Sequence, residues 1–301
     1  MNEARINVIR MHAMLTPKEN ISEEEEVQKN IKGKNRGEKR YKKMGKYSLK
    51  VLSNTNIAHN TYTLRFETNF SLNYSLPGQF VNIKVHGENA PFFRRPFSIS
   101  QQNNESTEII FEVVGRGTYY LSCLEAGDYI DLVGPLGNGF TFDTIKSNFL
   151  LVGGGIGIPP LLFLAQKLNE NGIASTLLAG FRSARNNFLT GLSVTALIST
   201  DDGTAGYRGY ITDILLEKLV ESNTDHIYGC GPEPMLKKVS EIADKAEIPC
   251  SLSVEKVFGC GTGICLGCIV ESSLKCYTAT GKRYLLCCHD GPVFDSTDIN
   301  F

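Results

Sequence analysis

Net charge and long unbroken apolar runs are both scarce in this 301-residue chain. With 31 Lys and Arg against 32 Asp and Glu, the formal charge is −1, and no basic excess marks nucleic acid as the main partner. The one apolar run that invites a membrane reading, Phe149 to Ala165, is broken by Gly153-Gly154-Gly155 and Pro159-Pro160. A buried strand, a turn and a helix explain it better than a span. Histidine is sparse as well. The five His residues show no ligand spacing, and neither a His-Glu-x-x-His motif nor a Ser–His–Asp arrangement is present. Tryptophan is absent, which excludes nothing. No stretch reads as a secretory signal or as an internal repeat. The expectation is a soluble, cytoplasmic chain with no nucleic acid and no membrane among its partners. A hydrophobic content of 42% supports a sizeable core, and the length suggests two domains with a small third.

Cysteine, by contrast, is plentiful and patterned. Cys260-Gly-Thr-Gly-Ile-Cys265-Leu-Gly-Cys268, with Cys287 and Cys288 further on, places three thiols at x4 and x2 spacing before a distant one. That is the plant-type spacing for a [2Fe-2S] cluster, whose irons require thiolate ligands. Gly259, Gly261, Gly263 and Gly267 let the loop turn tightly and bring backbone N–H groups toward sulfur. A structural zinc centre in a non-redox protein is the competing class, but zinc sites favour two matched pairs at x2–4 spacing. Nine cysteines is an odd number, and a chain of this size needs no disulfide staples.

The pattern along the chain changes three times. Residues 1–45, with Glu23 to Glu26 followed by a Lys/Arg-rich stretch, read as a disordered extension; Met44 would also make a sensible start. From 46 to 146 come short strands at Tyr47–Leu52, Thr61–Phe66, Phe80–Val85, Phe92–Ile99, Ile109–Val114 and Tyr129–Val133, which suggest an antiparallel barrel. From 147 to 248 strands alternate with helices. Strands are expected at Phe149–Val152, Ser175–Gly180, Ala196–Thr200 and His226–Tyr228, and helices at Pro159–Leu168, Ile211–Val220 and Pro234–Ala246. This rhythm predicts a parallel α/β sheet. Residues 249–301 hold one more strand, Ser251–Val254, and the cysteines, and are expected to form a small iron–sulfur lobe. The fold class is therefore multidomain, β barrel plus α/β.

Other motifs carry chemistry in context. Arg94-Arg95-Pro96-Phe97-Ser98 lies on a barrel strand, where the guanidinium can fork onto a pyrophosphate, the ring can pack on an isoalloxazine, and Ser98 can bond its polar edge. An ordinary strand with one buried aromatic would look the same. Gly115-Arg116-Gly117-Thr118 follows the next strand and is either a phosphate turn or a plain strand-to-helix turn. Gly153, Gly154, Gly155 and Gly157, then Pro159, follow a buried strand and open a helix, the setting in which a glycine-rich turn binds a dinucleotide. Cys230-Gly231 puts a second close-packed turn at the same sheet edge. Asp201, next to Asp202, can bond a ribose hydroxyl and favour NAD, whereas Arg182 and Arg185 could accept a 2′-phosphate.

Barrel with Arg-Pro-Phe-Ser, then Gly-Gly-Gly-Ile-Gly-Ile-Pro-Pro, then Cys-Gly-Pro, then the cysteine loop: this order resembles the ferredoxin-NADP reductase superfamily. With Cys288-His-Asp-Gly-Pro-Val-Phe294, residues 46–294 are more narrowly similar to the electron-transfer subunits of class 1B dihydroorotate dehydrogenase. The resemblance implies FAD on the barrel, held by Arg95, Pro96, Phe97 and Ser98 and by Ile110, Phe111 and Glu112, with Gly117 and Thr118 as the phosphate turn. It implies Cys260, Cys265, Cys268 and Cys288 as cluster ligands. Cys288 is preferred to Cys287 because the family's last ligand stands one residue before Asp-Gly-Pro, and Cys276 follows Cys268 too soon to fit. The implied partner is an FMN-containing dihydroorotate dehydrogenase catalytic subunit, in a heterotetramer. Electrons would pass from it through the cluster and FAD to NAD⁺. Phe97 departs from the tyrosine common in the wider superfamily, and the gap from Cys268 to Cys288 is longer than in some relatives. The flavin/iron–sulfur subunits of NADH-dependent ferredoxin:NADP oxidoreductases and of sulfide dehydrogenases share the architecture. They place an aspartate where this chain has Cys260.

Overall fold

Strands with inward-facing apolar residues close the first part of the chain into a barrel. They are β1 (Gly45–Ala58), β2 (Thr61–Glu67), β3 (Phe80–Lys84), β4 (Arg95–Gln102), β5 (Ser106–Glu112) and β6 (Tyr129–Leu136). Their order is β1-β2-β5-β4-β3-β6, all antiparallel, and β6 pairs back onto β1 so that no edge is left open. Leu64, Phe66, Ile83, Ile99, Ile109 and Leu132 fill the interior and are fully buried. The computed structural model describes residues 44–301 other than 69–71, 87–90, 147 and 193. The extension expected over 1–45 thus lies outside the described residues, except for Met44 and Gly45, and Gly45 already belongs to β1.

Two barrel strands differ from expectation. β1 runs to Ala58 rather than Leu52 because register shifts between Val51 and Ser53, and between Asn56 and Ala58, let it bend from β6 to β2. β4 starts at Arg95 rather than Phe92. Phe92 and Phe93 are 92% and 54% exposed, so their apolar character reflects no place in the sheet.

After a short helix, α1 (Arg116–Ser122), and β6, the chain enters a seven-stranded sheet. Its members are β7 (Asn148–Gly154), β8 (Ala174–Phe181), β9 (Ala196–Thr200), β10 (Tyr207–Arg208), β11 (His226–Cys230), β12 (Cys250–Ser253) and, much later, β15 (Val293–Asp295). Helices α2 (Pro159–Glu170), α3 (Ile211–Glu221) and α4 (Glu233–Lys245) connect them. The order is β10-β9-β8-β7-β11-β12-β15, parallel as far as β12 and antiparallel at β15. Strand order reverses between β7 and β11, which opens a crevice at their carboxyl ends. Pro159 and Pro160 open α2, where no intrahelical N–H is needed.

The last segment is woven into this sheet rather than hung beside it. β12 and β15 are sheet members, and between them a two-stranded ladder of β13 (Ile269–Glu271) and β14 (Tyr284–Leu286) flanks α5 (Leu274–Thr280). Ser273 caps α5 by accepting from the Cys276 N–H, and Gly281 ends it with φ +70°. These strands of three residues are too short for periodicity to reveal. Among the described residues no helix is long and apolar enough to cross a membrane.

At the start of β11, His226 stacks on Tyr228 with centroids 4.3 Å apart, and its Nε2 lies 2.9 Å from Ser251 Oγ. Burial, aided by the charge of Lys146, pulls its pKa down to about 4, so the folded protein holds the ring neutral. An unfolded chain takes up that proton near pH 6.5 and therefore binds more protons below it. Stability should fall by up to about 3 kcal/mol as pH drops from about 6.5 to about 4, as read by urea unfolding; a His226→Gln variant should lack that component.

Candidate metal centre and cofactor sites

From Val254 to Cys268, between β12 and β13, the chain has no regular structure, and three positive φ angles shape it: Gly261 at +74°, Gly263 at +86° and Leu266 at +57°. The bends aim N–H groups at sulfur. Cys260 Sγ accepts from Thr262 and Cys265 at 3.3 and 3.4 Å, and Cys265 Sγ accepts from Cys260 at 3.4 Å. Cys288 Sγ accepts from Gly263 at 3.2 Å, Cys268 Sγ accepts from Cys288 at 3.4 Å, and the sulfurs of Cys268 and Cys288 stand 3.2 Å apart. Among the described residues no three His, Cys, Asp or Glu side chains gather about one point for a single ion. The four sulfurs form two pairs instead, Cys260 with Cys265 and Cys268 with Cys288. Two thiolates per iron is what a binuclear cluster needs, so the donor set fits that group.

The neighbouring Cys287 turns the other way. It is fully buried, and its thiol donates to the Val254 carbonyl at 3.2 Å. Burial, reinforced by Cys268 and Cys288, raises its pKa and keeps it a thiol. The Cys287–Cys288 turn is held by Asp290, whose Oδ2 accepts from the Leu286 N–H at 2.7 Å, and by Asn138, whose amide donates to the His289 carbonyl at 3.2 Å. Cys276 is buried on α5, with its sulfur 3.9 Å from Thr280 Oγ1, and takes no part in the two pairs.

Cys260 and Cys288 are not alike. Burial opposes ionisation of Cys260, but hydrogen bonds from Thr262 and Cys265 outweigh it and hold its pKa at about 6. For Cys288, burial and then the adjacent Cys268 push the pKa up to about 12. A metal entering the second pair must displace a proton there.

On the barrel, the two arginines of the motif separate. Arg94 donates to Asp131 Oδ1 at 2.8 Å and to the Asp131 carbonyl at 2.9 Å, tying the residue before β4 to β6. Arg95 bonds the loop carbonyls of Phe93 and Arg94 at 3.2 and 3.4 Å, and lies against the next turn: a Cβ on Gly117 would stand 3.1 Å from its Nε. Thr118 Oγ1 accepts from the N–H groups of Val114 and Gly115 at 3.0 and 3.2 Å, which sets the turn rather than leaving a hydroxyl exposed. Pro96, Phe97 and Ser98 are half-buried beside it, with Phe97 packed on Phe111 at 5.7 Å between centroids. Ile110 and Phe111 are core side chains, Ile110 facing β7 and α2 and Phe111 facing the barrel interior. Glu112 is half-buried at a cavity mouth.

At the sheet's switch point, the turns after β7 and β11 meet backbone to backbone. A Cβ on Gly157 would fall 2.5 Å from the Cys230 carbonyl oxygen and from Gly231 Cα, and Gly155 takes φ +50°. Gly153 and Gly154 are equally crowded, the latter by Pro232 and Met235. Cys230 is half-buried as a residue, but its sulfur is enclosed, and burial pushes its pKa up to about 12. It remains a thiol.

A cavity of about 650 Å³ lies between barrel and sheet, lined by His59, Glu112, Arg182, Arg185, Asp202 and Thr204 among others. Asp202, not Asp201, faces it. Asp202 Oδ1 accepts from the Thr204 N–H and hydroxyl at 3.0 and 2.6 Å, while Asp201 is engaged through its N–H with the Phe181 carbonyl. His59 had no signal in the sequence beyond its place before a turn; its N–H bonds the Arg185 carbonyl at 3.1 Å and fastens the β1–β2 turn to the loop after β8.

Three family models match the chain in succession: an oxidoreductase FAD-binding domain over residues 48–140, an oxidoreductase NAD-binding domain over 151–241, and the iron–sulfur cluster binding domain of dihydroorotate dehydrogenase B over 255–300. The dihydroorotate dehydrogenase B (NAD(+)) electron transfer subunit of Caldanaerobacter subterraneus subsp. tengcongensis is 38% identical over 260 residues, covering 85% of this chain and 99% of the relative. Its counterpart from Fusobacterium nucleatum is 35% identical over 259 residues, covering 83% and 96%. The chain belongs to the dihydroorotate dehydrogenase B electron transfer subunit family. Among solved structures, an NADH-dependent reduced ferredoxin-NADP oxidoreductase aligns at a TM-score of 0.72 and 28% identity, over 84% of this chain and 89% of that one. As an electron transfer subunit family member, the chain carries FAD-, NAD- and cluster-binding domains in the family's order.

The unequal thiols make a test. In metal-free protein, alkylation by iodoacetamide should label Cys260 with a midpoint near pH 6 while Cys287 stays unlabelled at neutral pH. Peptide mapping that found Cys287 labelled first would reverse the two environments.

Proposed function

We propose that this chain takes electrons from an FMN-containing dihydroorotate dehydrogenase catalytic subunit and delivers them to NAD⁺, in the cytoplasm, as part of pyrimidine biosynthesis. The observation that carries the reading is the convergence of two cysteine pairs on a lobe whose strand β15 belongs to the nucleotide sheet. Residues 46–146 hold the flavin, 147–248 the nucleotide, and 249–301 the cluster. When bound, FAD exchanges electrons singly or in pairs and the cluster only singly, so together they join a one-electron donor to a two-electron acceptor.

Each group of residues has a part. Arg95, lying over the Gly117–Thr118 turn while Arg94 secures the barrel, offers its guanidinium to the FAD pyrophosphate. Pro96, Phe97 and Ser98 line the adjoining half-buried strip, and Ile110, Phe111 and Glu112 lie on the neighbouring strand β5. Gly153, Gly154, Gly155 and Gly157, with Pro159, Cys230 and Gly231, form the crevice that admits the dinucleotide backbone. Asp202 takes the ribose role first expected of its neighbour Asp201, because Asp202 lines the cavity. Cys260, Cys265, Cys268 and Cys288 are the cluster ligands, and Cys287 is a core thiol. The ferredoxin-NADP oxidoreductase neighbour keeps open a ferredoxin-linked reading, but the higher identity to dihydroorotate dehydrogenase B subunits and the thiol at Cys260 favour the first.

Native protein purified from its source should be brown-yellow and bring with it an FMN enzyme that oxidises dihydroorotate; a colourless preparation containing zinc would refute the reading. Cys265→Ser and Cys288→Ser should lose iron while keeping FAD, and Cys287→Ser should keep both, measured by iron assay and flavin absorbance. Asp202→Ser should narrow the preference for NADH over NADPH by about tenfold, a change of about 1.4 kcal/mol in relative kcat/KM.

A further inference from the structure

We infer that Asn82 is the positioning residue that sets the flavin strand and the cluster loop against each other. This rests on the cofactor reading above and adds to it a side chain outside every motif. β3 has two faces. Val81 and Ile83 point into the barrel core, whereas Phe80 packs in the core shared with the C-terminal lobe. The lobe meets that second face at the same two-residue period. Phe258 packs on Phe80 with ring centroids 5.1 Å apart, and the Cys260 carbonyl accepts from Asn82 Nδ2 at 3.2 Å. On its other side β3 pairs with β4, which sets Asn82 opposite Pro96 and Phe80 opposite Ser98. One amide therefore links the residue of the first cluster thiol to the ladder carrying Arg95–Ser98.

The fit is close. Asn82 is 1% exposed, and a Cβ on Gly261, where φ is +74°, would stand 2.6 Å from its Nδ2. Packing alone would be served by an apolar residue, since a buried amide is costly unless its groups are bonded. Asn82 is not fully bonded: its Oδ1 is buried without a partner. The amide thus spends its donor on the loop of Cys260, and the oxygen remains as an acceptor in the seam between flavin strand and cluster. Hydrogen bonds around thiolate ligands tune a cluster's potential, and Cys260 is the residue whose sulfur already receives the Thr262 and Cys265 N–H groups.

Two variants test the contact in the holoprotein. Asn82→Leu removes the donor at similar volume, and Asn82→Ser shortens the side chain so that it no longer reaches the Cys260 carbonyl. Wild-type protein lacking FAD or iron would defeat the cofactor reading, which is a separate failure. With both cofactors present, each variant should keep FAD and iron. Each should also shift the electron paramagnetic resonance spectrum of the reduced cluster and move its one-electron equilibrium about tenfold, or about 59 mV. An unchanged spectrum and potential in either purified variant, or loss of iron from both, would overturn the role. If Asn82→Leu does not fold, Asn82→Ser alone decides.

Discussion

Antiparallel pairing of β15 with β12 is the contact on which the placement of the redox residues depends. Ser251–Ser253 pair with β11 on one side and with Val293–Asp295 on the other. The cysteine loop leaves the sheet at β12, and the segment bearing Cys288 re-enters it at β15. Both ends of a 39-residue excursion, Val254 to Pro292, are thereby pinned side by side on one rigid sheet. The Val254 N–H donates to the Pro292 carbonyl at 3.0 Å and closes the neck. Within the excursion, the β13–β14 ladder and the Cys287 N–H bonded to the Cys268 carbonyl at 2.8 Å bring Cys268 to Cys288, and the closed neck shortens the loop left to carry Cys260 and Cys265.

The three functional regions also share cores rather than merely touching. Phe80 and Leu136 of the barrel lie in the same buried cluster as Cys268, Cys287 and Phe294, and Ile110 of β5 packs with Phe149 and Leu161. Interfaces of this apolar kind resist the sliding expected of polar domain contacts. Electron transfer benefits from fixed separations, and shared packing supplies them.

Much of this was legible in the sequence. Alternating apolar positions located the six barrel strands, the expected Ala196–Thr200 matches its strand, and the expected Ile211–Val220 stops one residue short of its helix. The glycine turns at Gly153–Gly157 and Cys230–Gly231 were readable because both follow buried strands. What escaped notice depends on tertiary context. β13, β14 and β15 have three residues each, fewer than a period-two pattern needs to declare itself. That Asp202 rather than Asp201 lines the cavity was not readable, because neighbouring residues of a turn do not differ in composition. The sequence preferred Cys288 from its place before Asp-Gly-Pro, but it gave no sign that the Cys287 thiol turns away to bond the Val254 carbonyl. Asn82 gave no sign at all, because a lone amide on a strand has no motif.

Phe163 is one more consequence of shared packing. It sits on α2, beyond the barrel in the chain, yet it is fully buried in the barrel's own core beside Leu121 and Phe111. The barrel is therefore unfinished until a later helix arrives to plug it. As the chain leaves the ribosome, its six strands emerge with a hole in their hydrophobic interior, and the stopper comes only with the next domain. Such an arrangement makes the flavin module hard to transplant alone, and it ties the maturation of one cofactor pocket to the synthesis of another.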